Sequence, residues 1–528
     1  MNIFKKIIFG VLILSLVFMS CDSVVLAANV PKASKSLTII QGKKATIKIN
    51  GKYIQSKKFN STNKSIATVS EKGVVKAKKT GKCKIKITVI YRKKKNAQKT
   101  TKKVLTTNIV VKKKTQINST PTETEKPSES PVPTEKPIVE KNADDVEALT
   151  GIINEQVDLG ATISTDLDDS QYAWDKNNGR LIGINWGRYE TDSFNLQGSI
   201  SFSKLTALTY LYCSYNSITA LDVSGCTKIA TLQCDNNQLA TLDVSTCTVL
   251  KGLSCNDNQL SVLDVSKNTG LETLSCSNNE LARLDVNNNI GLEILWCNSN
   301  ELTKLDISKN TGLKRLYCDN NQLARLDVSK NTGLEILWCN SNQLSALDVS
   351  KSTRLTDLIC DNNQLTVLDI SKNTGLTNLT CNNNQLTKLD VSKNTGLTDL
   401  ICDNNKLAIL DISKNTGLTY LGVAFNQLTK LDVSSCTELM SLDCYSNKLT
   451  NLDVSKNTIL ESLYCNNNQL TALDVSKNTA LIELNCSQNK ITALDVSKNT
   501  ILESLNVDIT VELTGTPDNC TVNFSKNE

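Results

Sequence analysis

The stretch that decides the fold is LKRLYCDNNQLARLDVSKNTG, residues 313–333, because its pattern recurs along most of the chain at a step of 21 residues. A cysteine, or in two units a valine, holds one position of this unit fifteen times, from Cys213 to Val507, without insertion or deletion. A leucine lies two residues before each of these positions, and an asparagine lies three residues after fourteen of them. Self-similarity at a fixed short period predicts a solenoid of stacked coils.

Written as L-x-x-L-x-C-x-x-N-x-L-x-x-L-D-V-S-x-N-T-x, the unit resembles the leucine-rich repeat, and it matches the short bacterial, internalin-like class best. The resemblance covers residues 205–507 and implies a β-rich solenoid in which each Leu-x-Cys segment is a short strand of a parallel, concave sheet. We expect leucine, cysteine and valine to point inward, and the asparagines to satisfy backbone groups where each strand ends. Residues 143–204 are predicted to form an N-terminal cap, with a helix at 145–154, and a divergent first repeat; residues 508–528 are predicted to cap the other end.

Residues 31–114 are predicted to form a separate small β-sandwich. Short strands are expected at 46–49, 66–69 and 83–87, and in the last of these the apolar residues Cys83, Ile85 and Ile87 alternate with lysines. The segments STNKSIATV at 61–69 and GVVKA at 73–77 resemble the bacterial Ig-like domain of group 2. Residues 115–142 contain five of the seven prolines of the chain, which predicts a stiffened linker.

The charge of the chain is divided between its two parts. Residues 31–114 contain 26 Lys or Arg and one acid, Glu71, and so carry +25. Residues 115–528 carry −20, because the whole chain is +6 and residues 1–30 carry +1. The basic head favours an anionic cell-envelope polymer as its partner, and we expect no nucleic acid.

Residues 1–28 are predicted to be a secretory signal peptide, with Lys5 and Lys6 before an apolar stretch at 7–19 and a cleavage site near Ala27. Lipidation of Cys21 is an alternative mode of processing. No further apolar run is long enough to cross a membrane, so we expect a secreted or cell-surface protein without a transmembrane span.

The cysteine at the repeated position is interpreted as a small buried apolar residue, because valine replaces it in two units and can neither bridge nor bind a metal. Cys226 and Cys247 lie elsewhere in adjacent units, and whether they pair stays open. A second column, of fourteen aspartates from Asp222 to Asp495, is predicted to cap its own turns; binding of calcium is the alternative. We expect no metal ion and no cofactor.

The predicted ligand-binding residues flank the inward leucine and cysteine, where an aromatic stripe runs through consecutive units. Clustered exposed aromatic residues usually mark interaction sites. GLEILWCNSN occurs at both 291–300 and 333–342, however, so a duplication of two units is an alternative origin for the two tryptophans. The predicted site consists of Ile294, Trp296, Arg315, Tyr317, Asp319, Ile336, Trp338, Asp357, Ile359 and Asp361.

The sequence predicts a protein without enzymatic activity, because it has no histidine and no catalytic constellation interrupts the repeat. We expect an extracellular recognition or adhesion protein that binds a protein partner through the concave sheet. The alternative is a carbohydrate-binding surface protein, with Trp and Tyr as platforms for sugar rings.

Overall fold

The structure is a computed structural model that describes residues 32–33, 36–40, 44–46, 49–50, 54–70, 74–92, 100–112, 139–187 and 194–525. The predicted signal peptide and residues 115–138 of the predicted linker lie outside these ranges. The chain divides into two compact units, Met1–Pro133 and Thr134–Glu528. Within the described ranges, every helix is too short or too polar to cross a membrane.

The first unit is a small β-sandwich, as predicted. One sheet has the strand order β2-β9-β8-β5, a second has β3-β7-β6, and β1 pairs with β4. Residues from both larger sheets, among them Ala67, Val75, Ile85 and Ile109, share one buried core. The strands are β1 Lys32–Ala33, β2 Ser36–Ile40, β3 Lys44–Thr46, β4 Ile49–Asn50, β5 Ile54–Ser61, β6 Ala67–Val69, β7 Val74–Ala77, β8 Gly81–Arg92 and β9 Thr100–Lys112.

The strands of this unit differ in extent from the sequence predictions. The predicted strand at 83–87 is the buried centre of the twelve-residue β8, because its alternation of apolar and basic residues continues in both directions. The predicted strand at 66–69 begins one residue later, at Ala67. Residues 47–48 of the predicted strand at 46–49 lie outside the described ranges, and strands β3 and β4 end and begin on either side of them.

The second unit begins with the predicted capping helix, which is longer than the sequence indicated. Helix α1 spans Ala143–Asp158, because the Asn142 side chain caps its first turn by accepting from the Asp145 N–H at 3.1 Å. Asp145 is fully buried and pairs with Arg180, 2.7 Å from its Nε, while it also accepts the Leu181 N–H. The helix therefore closes the open end of the array and is held there by a buried ion pair.

The array itself is a solenoid built on one sheet of eighteen strands. After the antiparallel β10, every strand from β11 onward pairs in parallel with the strand one coil away. Between these strands the chain runs through tight turns without helix, in agreement with the short unit. The strands of the sheet are β10 Tyr172–Trp174, β11 Leu181–Asn185, β13 Tyr210–Tyr212, β15 Thr231–Gln233, β16 Gly252–Ser254, β17 Thr273–Ser275, β18 Ile294–Trp296, β19 Arg315–Tyr317, β20 Ile336–Trp338, β21 Asp357–Ile359, β22 Asn378–Thr380, β23 Asp399–Ile401, β24 Tyr420–Gly422, β25 Ser441–Asp443, β26 Ser462–Tyr464, β27 Glu483–Asn485, β29 Ser504–Asp508 and β31 Thr521–Ser525.

Two short pairs of strands lie at the ends of the array. Strands β12 (Gln197–Ser201) and β14 (Ser217–Asp222) pair near the N-terminal cap, and β28 (Ala493–Asp495) and β30 (Glu512–Thr514) pair near the C-terminus. Strand β31 adds to β29 in parallel, at the C-terminal edge of the sheet as far as the chain is described.

The asparagine three residues after each cysteine forms the predicted internal ladder. The Nδ2 of Asn321 lies 3.0–3.2 Å from the carbonyl oxygens of Cys297, Cys318 and Asp319. Its Oδ1 accepts the N–H of Leu302 at 3.0 Å. One buried side chain thus satisfies several backbone groups of two coils, which explains why this position tolerates no other residue in fourteen units.

A second buried asparagine column runs along the turns, and its bonding is less complete. The Nδ2 of Asn331 donates to the Ile307 and Asn310 carbonyls at 3.1 and 2.8 Å. Its Oδ1 is buried without a hydrogen-bond partner, and the same holds for all ten asparagines of the column. Since the oxygen makes no bond, a smaller donor can replace the amide, as Cys226, Cys247, Cys436 and Ser352 do.

The eighteen described cysteines are all free thiols, in agreement with the interpretation of the ladder as packing. The ladder cysteines are buried beside the inward leucines, and burial raises the pKa of Cys276 to about 12. Cys226 and Cys247 do not pair; Cys226 Sγ donates to the Phe202 carbonyl at 3.1 Å instead. The thiols therefore fill space as neutral groups.

Candidate ligand-binding face

The predicted aromatic stripe forms a continuous surface on the strand face of the solenoid. The rings of Trp296 and Tyr317 are stacked, with centroids 5.3 Å apart and planes inclined by 11°. Tyr317 meets Trp338 edge to face at 5.0 Å, and Trp338 Nε1 donates to Asp357 Oδ1 at 2.9 Å. All three side chains are half-buried, so each stays partly accessible. Mutual packing holds the rings in place, which lowers the entropy lost when a ligand binds.

The other predicted site residues surround these rings with different accessibility. Ile294, Ile336 and Ile359 are half-buried beside the rings, as are Asp357 and Asp361. Arg315 is exposed, whereas Asp319 is buried, with 8% of its surface accessible. Asp319 is thus less available to a ligand than its position in the repeat indicated.

The position just after the cysteine forms a polar ladder that sequence reasoning missed. Asp361 Oδ1 accepts the N–H of Asn382 at 2.7 Å, Asn382 Oδ1 accepts that of Asp403 at 2.8 Å, and Asp403 Oδ1 accepts that of Ala424 at 2.6 Å. Each side chain therefore caps the backbone of the next coil. Burial outweighs these bonds and raises the pKa of both Asp361 and Asp403 to about 7.

A shallow groove precedes the stripe, and the sequence analysis did not identify it. The groove encloses about 640 Å³ and is lined by small or polar side chains from three coils, with Trp296 at its end. It exists because Gly252, Ser254 and Ser275 occupy positions that hold large side chains in the following coils. The signal available in the sequence was this run of small residues beside a tryptophan.

The aspartate column on the turns has the predicted structural role. Asp264 Oδ1 accepts the N–H of Ser266 at 2.8 Å, and the equivalent bond recurs from coil to coil, for example between Asp411 and Ser413 at 2.9 Å. These bonds lower the pKa of the carboxyl groups, with a neighbouring lysine contributing in most coils. In the described part of the chain, no group of three or more Cys, Asp or Glu side chains is arranged to hold a metal ion.

Comparison with known proteins finds a match for each of the two units. The model of the bacterial Ig-like domain (group 2) matches residues 33–104. The functional domain of InlJ from Listeria monocytogenes, described as including a cysteine ladder, is 38% identical over 62% of this chain and 73% of that one, with a TM-score of 0.59. None of the curated proteins is similar enough to this chain to be matched.

More distant structures share the fold alone. A leucine-rich-repeat protein of Leptospira interrogans is 23% identical, covers 62% of this chain and 93% of its own, and has a TM-score of 0.55. The plant peptide hormone receptor RGFR1, in complex with RGF2, is 22% identical over 63% of this chain and 65% of its own, with a TM-score of 0.54. The repeat, the free cysteine ladder and the likeness to InlJ together show that the chain belongs to the internalin-like leucine-rich-repeat proteins, with a group 2 bacterial Ig-like domain ahead of its repeats.

Proposed function

We propose that this protein is a secreted or cell-surface recognition and adhesion protein, without enzymatic activity, that binds a protein partner through the strand face of its solenoid. The observation that carries the proposal is the ordered stripe of Trp296, Tyr317 and Trp338 on the strand face. Large aromatic side chains in fixed positions contribute most of the binding energy at protein interfaces. Flanking isoleucines and aspartates supply the apolar and polar contacts that surround such anchors.

The comparisons support a binding role in general terms. The plant receptor with the same fold is in complex with RGF2, so a solenoid of this kind can hold a partner. The same fold is compatible with many ligands, however, and the site residues of this chain decide the partner.

The proposal is tested with the full chain as bait for surface proteins of host or neighbouring cells, in parallel with a glycan array. We expect a protein to be retained and its retention to be abolished by Trp296→Ser, Tyr317→Ser and Trp338→Ser together. Serine already occupies this position in two other coils, at Ser254 and Ser275, so the fold should tolerate the change. Retention of a glycan but of no protein would contradict the proposal.

A glycan ligand is the alternative, and the groove that ends at Trp296 favours it. Hydroxyl and amide side chains line the groove, and an aromatic ring at one end resembles a platform for a sugar. If a glycan binds there, Gly252→Tyr should fill the groove and abolish binding, while the serine variants of Tyr317 and Trp338 should have little effect.

The basic head gives a second proposed contact, with an anionic polymer of the cell envelope. On strand β8, Lys82, Lys84 and Lys86 point away from the core, about 6.6 Å apart along the strand. Lys58 is exposed on the adjacent strand β5, and its partner Thr88 lies two residues beyond Lys86. Changing the three β8 lysines to serine should weaken co-sedimentation of the full chain with cell walls, and unchanged co-sedimentation would refute this contact.

A further inference from the structure

One coil of the array departs from the repeat at three successive residues. Where most other coils have cysteine, then Asn, Asp or Ser, and then a polar residue, this coil has Val423, Ala424 and Phe425, and Gly422 precedes them. Phe425 has a positive φ of 50° and leaves 53% of its surface exposed. Twelve of the fourteen residues at this position are Asn, Asp, Ser or Gln, which adopt the left-handed region more easily than a bulky aromatic residue. The backbone at this position therefore favours a small polar residue over a phenylalanine, and Tyr215 is the other exception.

Phe425 is part of an aromatic pair. Its ring meets that of Tyr445, one coil further on, edge to face with centroids 5.1 Å apart. Tyr445 occupies a position of the polar ladder that every other coil except the one with Ala424 fills with Asn, Asp or Ser. Two rings thus replace two polar side chains at one place on the accessible face, which is the composition expected of a contact with a partner.

Two aspartates lie beside this pair. A Cβ on Gly422 would lie 2.7 Å from Ile401 Cγ2 and 3.2 Å from Asp403 Oδ1, so the glycine makes room for both neighbours. On the other side, Asp443 Oδ2 accepts the Tyr420 hydroxyl at 2.6 Å, while its Oδ1 is buried without a partner among the described residues. Burial first and the charge of Asp443 second raise the pKa of Asp403, so a nearby cation would stabilise both carboxylates.

The charge of the face between the two aromatic surfaces has one sign. From the coil of Trp296 to that of Tyr464, the strand positions that flank the inward leucine and cysteine hold six aspartates and a single basic residue, Arg315. The distance from Tyr317 on β19 to Asp443 on β25 is six strands, or about 29 Å at the usual spacing. An extended segment of about nine residues covers this distance, whereas a small ligand does not.

We propose that Phe425 and Tyr445 form a second aromatic contact, and that this contact, the aspartates and the Trp296–Trp338 stripe together bind one basic, extended segment of a protein partner. Lysine and arginine side chains suit such a surface, because their cations pair with the carboxylates and stack on the aromatic faces. The inference rests on the proposed function, and it specifies the chemistry of the partner.

The test substitutes residues that already occupy the equivalent positions in other coils. Phe425→Asn with Tyr445→Asn, and Asp403→Asn with Asp443→Asn, introduce a residue that other coils carry at the same positions, such as Asn404, Asn382 and Asn485. The full chain is titrated into a fluorescent twelve-residue oligolysine at an ionic strength of about 0.15 M. The matched control is Asp411→Asn with Asp432→Asn, which makes the same substitution on two turns, where asparagine also caps.

We expect the aromatic double variant to weaken binding about two- to five-fold for each ring removed. The aspartate variant should weaken binding at least as much, and the turn control should stay within about two-fold of the wild type. No binding by the wild type, unchanged binding by either double variant, or an equal loss in the control would each overturn the inference. If only the serine variants of Trp296, Tyr317 and Trp338 lost binding, the second contact would be wrong while the proposed function stood. If only the Phe425 and Tyr445 variants lost binding, the site would lie at Phe425 and Tyr445 instead.

Discussion

The turn side and the strand side of each coil contain the same residue types, but these residues have different roles on the two sides. On the turn side, Leu-Asp-Val-Ser recurs almost unchanged, and hydrogen bonds from serine side chains and backbone N–H groups hold the pKa of most of these aspartates below the usual range. The Ser201 hydroxyl and the Ser224 N–H lower the pKa of Asp222 to about 2. On the strand side, residues vary from coil to coil, and burial raises the pKa of Asp361 and Asp403 to about 7. Position in the coil, rather than residue type, therefore sets the electrostatics. Side chains that bond to the backbone of the turns are the same in nearly every coil, whereas side chains at the positions proposed to face a ligand differ from coil to coil.

The largest effect on stability is expected from a cysteine at the end of a strand, compared with a cysteine on the turn of the same coil. Asn321→Cys, at the end of a strand, removes the acceptor of the Leu302 N–H and a donor to three carbonyls, so we expect a loss of about 3 kcal/mol in the free energy of unfolding. Asn331→Cys, on the turn, removes a buried oxygen without a partner and copies Cys436, so we expect a loss below about 1 kcal/mol. Urea unfolding of both variants measures the difference. Equal losses would refute the distinction between the two columns.

The two classes of aspartate predict opposite responses to pH. The pKa values of Asp361 and Asp403 are higher in the folded than in the unfolded chain, so their destabilising contribution appears as the pH rises from about 4 to about 7. The turn aspartates have lowered pKa values and stabilise the fold above about pH 4, and this contribution is lost as the pH falls further. We expect a higher Tm at pH 5 than at pH 8.

Replacing the aspartates of each class by asparagine should separate their contributions to the pH dependence of the Tm. Asp361→Asn with Asp403→Asn should raise the Tm at pH 8 by about 2 °C or more and flatten the decline between pH 5 and pH 8. The control, Asp411→Asn with Asp432→Asn, should leave that decline as it is. A wild-type Tm that rises from pH 5 to pH 8 would contradict the assignment.

The smallest effect on stability is expected from substitution of a cysteine in the ladder. Cys339→Val copies Val423 and Val507 at the same position, so stability should change by less than about 1 kcal/mol. The thirteen ladder thiols should resist alkylation in the folded chain, because they are buried with raised pKa values, and should all react after unfolding without a reductant. Absence of reactive thiols in the unfolded, unreduced chain would show that disulfides had formed.

Features that follow from strict repetition were predictable from the sequence. The step of 21 residues predicted the parallel sheet, the inward cysteines, the Asn321 type of ladder and the capping by Asp264 and its equivalents, because each of these repeats with the coil. The helix was predicted too short, because Asn142 caps it before its apolar residues begin.

Features that depend on the neighbouring coil were not predictable in the same way. The burial of Asp319, the polar ladder through Asp361 and Asp403, and the groove beside Trp296 depend on how a variable side chain meets the next coil. In the unusual coil at 422–425, the sequence analysis identified only the valine in the cysteine column. Its significance emerged from the exposure of Phe425 and the contact with Tyr445.

The most direct test of the account is partner binding by two matched triple variants of the full chain. One carries Trp296→Ser, Tyr317→Ser and Trp338→Ser on the strand face; the other carries Val262→Thr, Val367→Thr and Ile409→Thr, which replace apolar residues 70–79% exposed elsewhere on the coils. Both should keep the circular dichroism and Tm of the wild type. We predict that the strand-face variant loses at least about thirty-fold in affinity, roughly the effect of one interface hot spot, while the other variant binds as the wild type does. Equal binding by both variants, or loss only in the second, would contradict the claim that the strand face is the recognition surface.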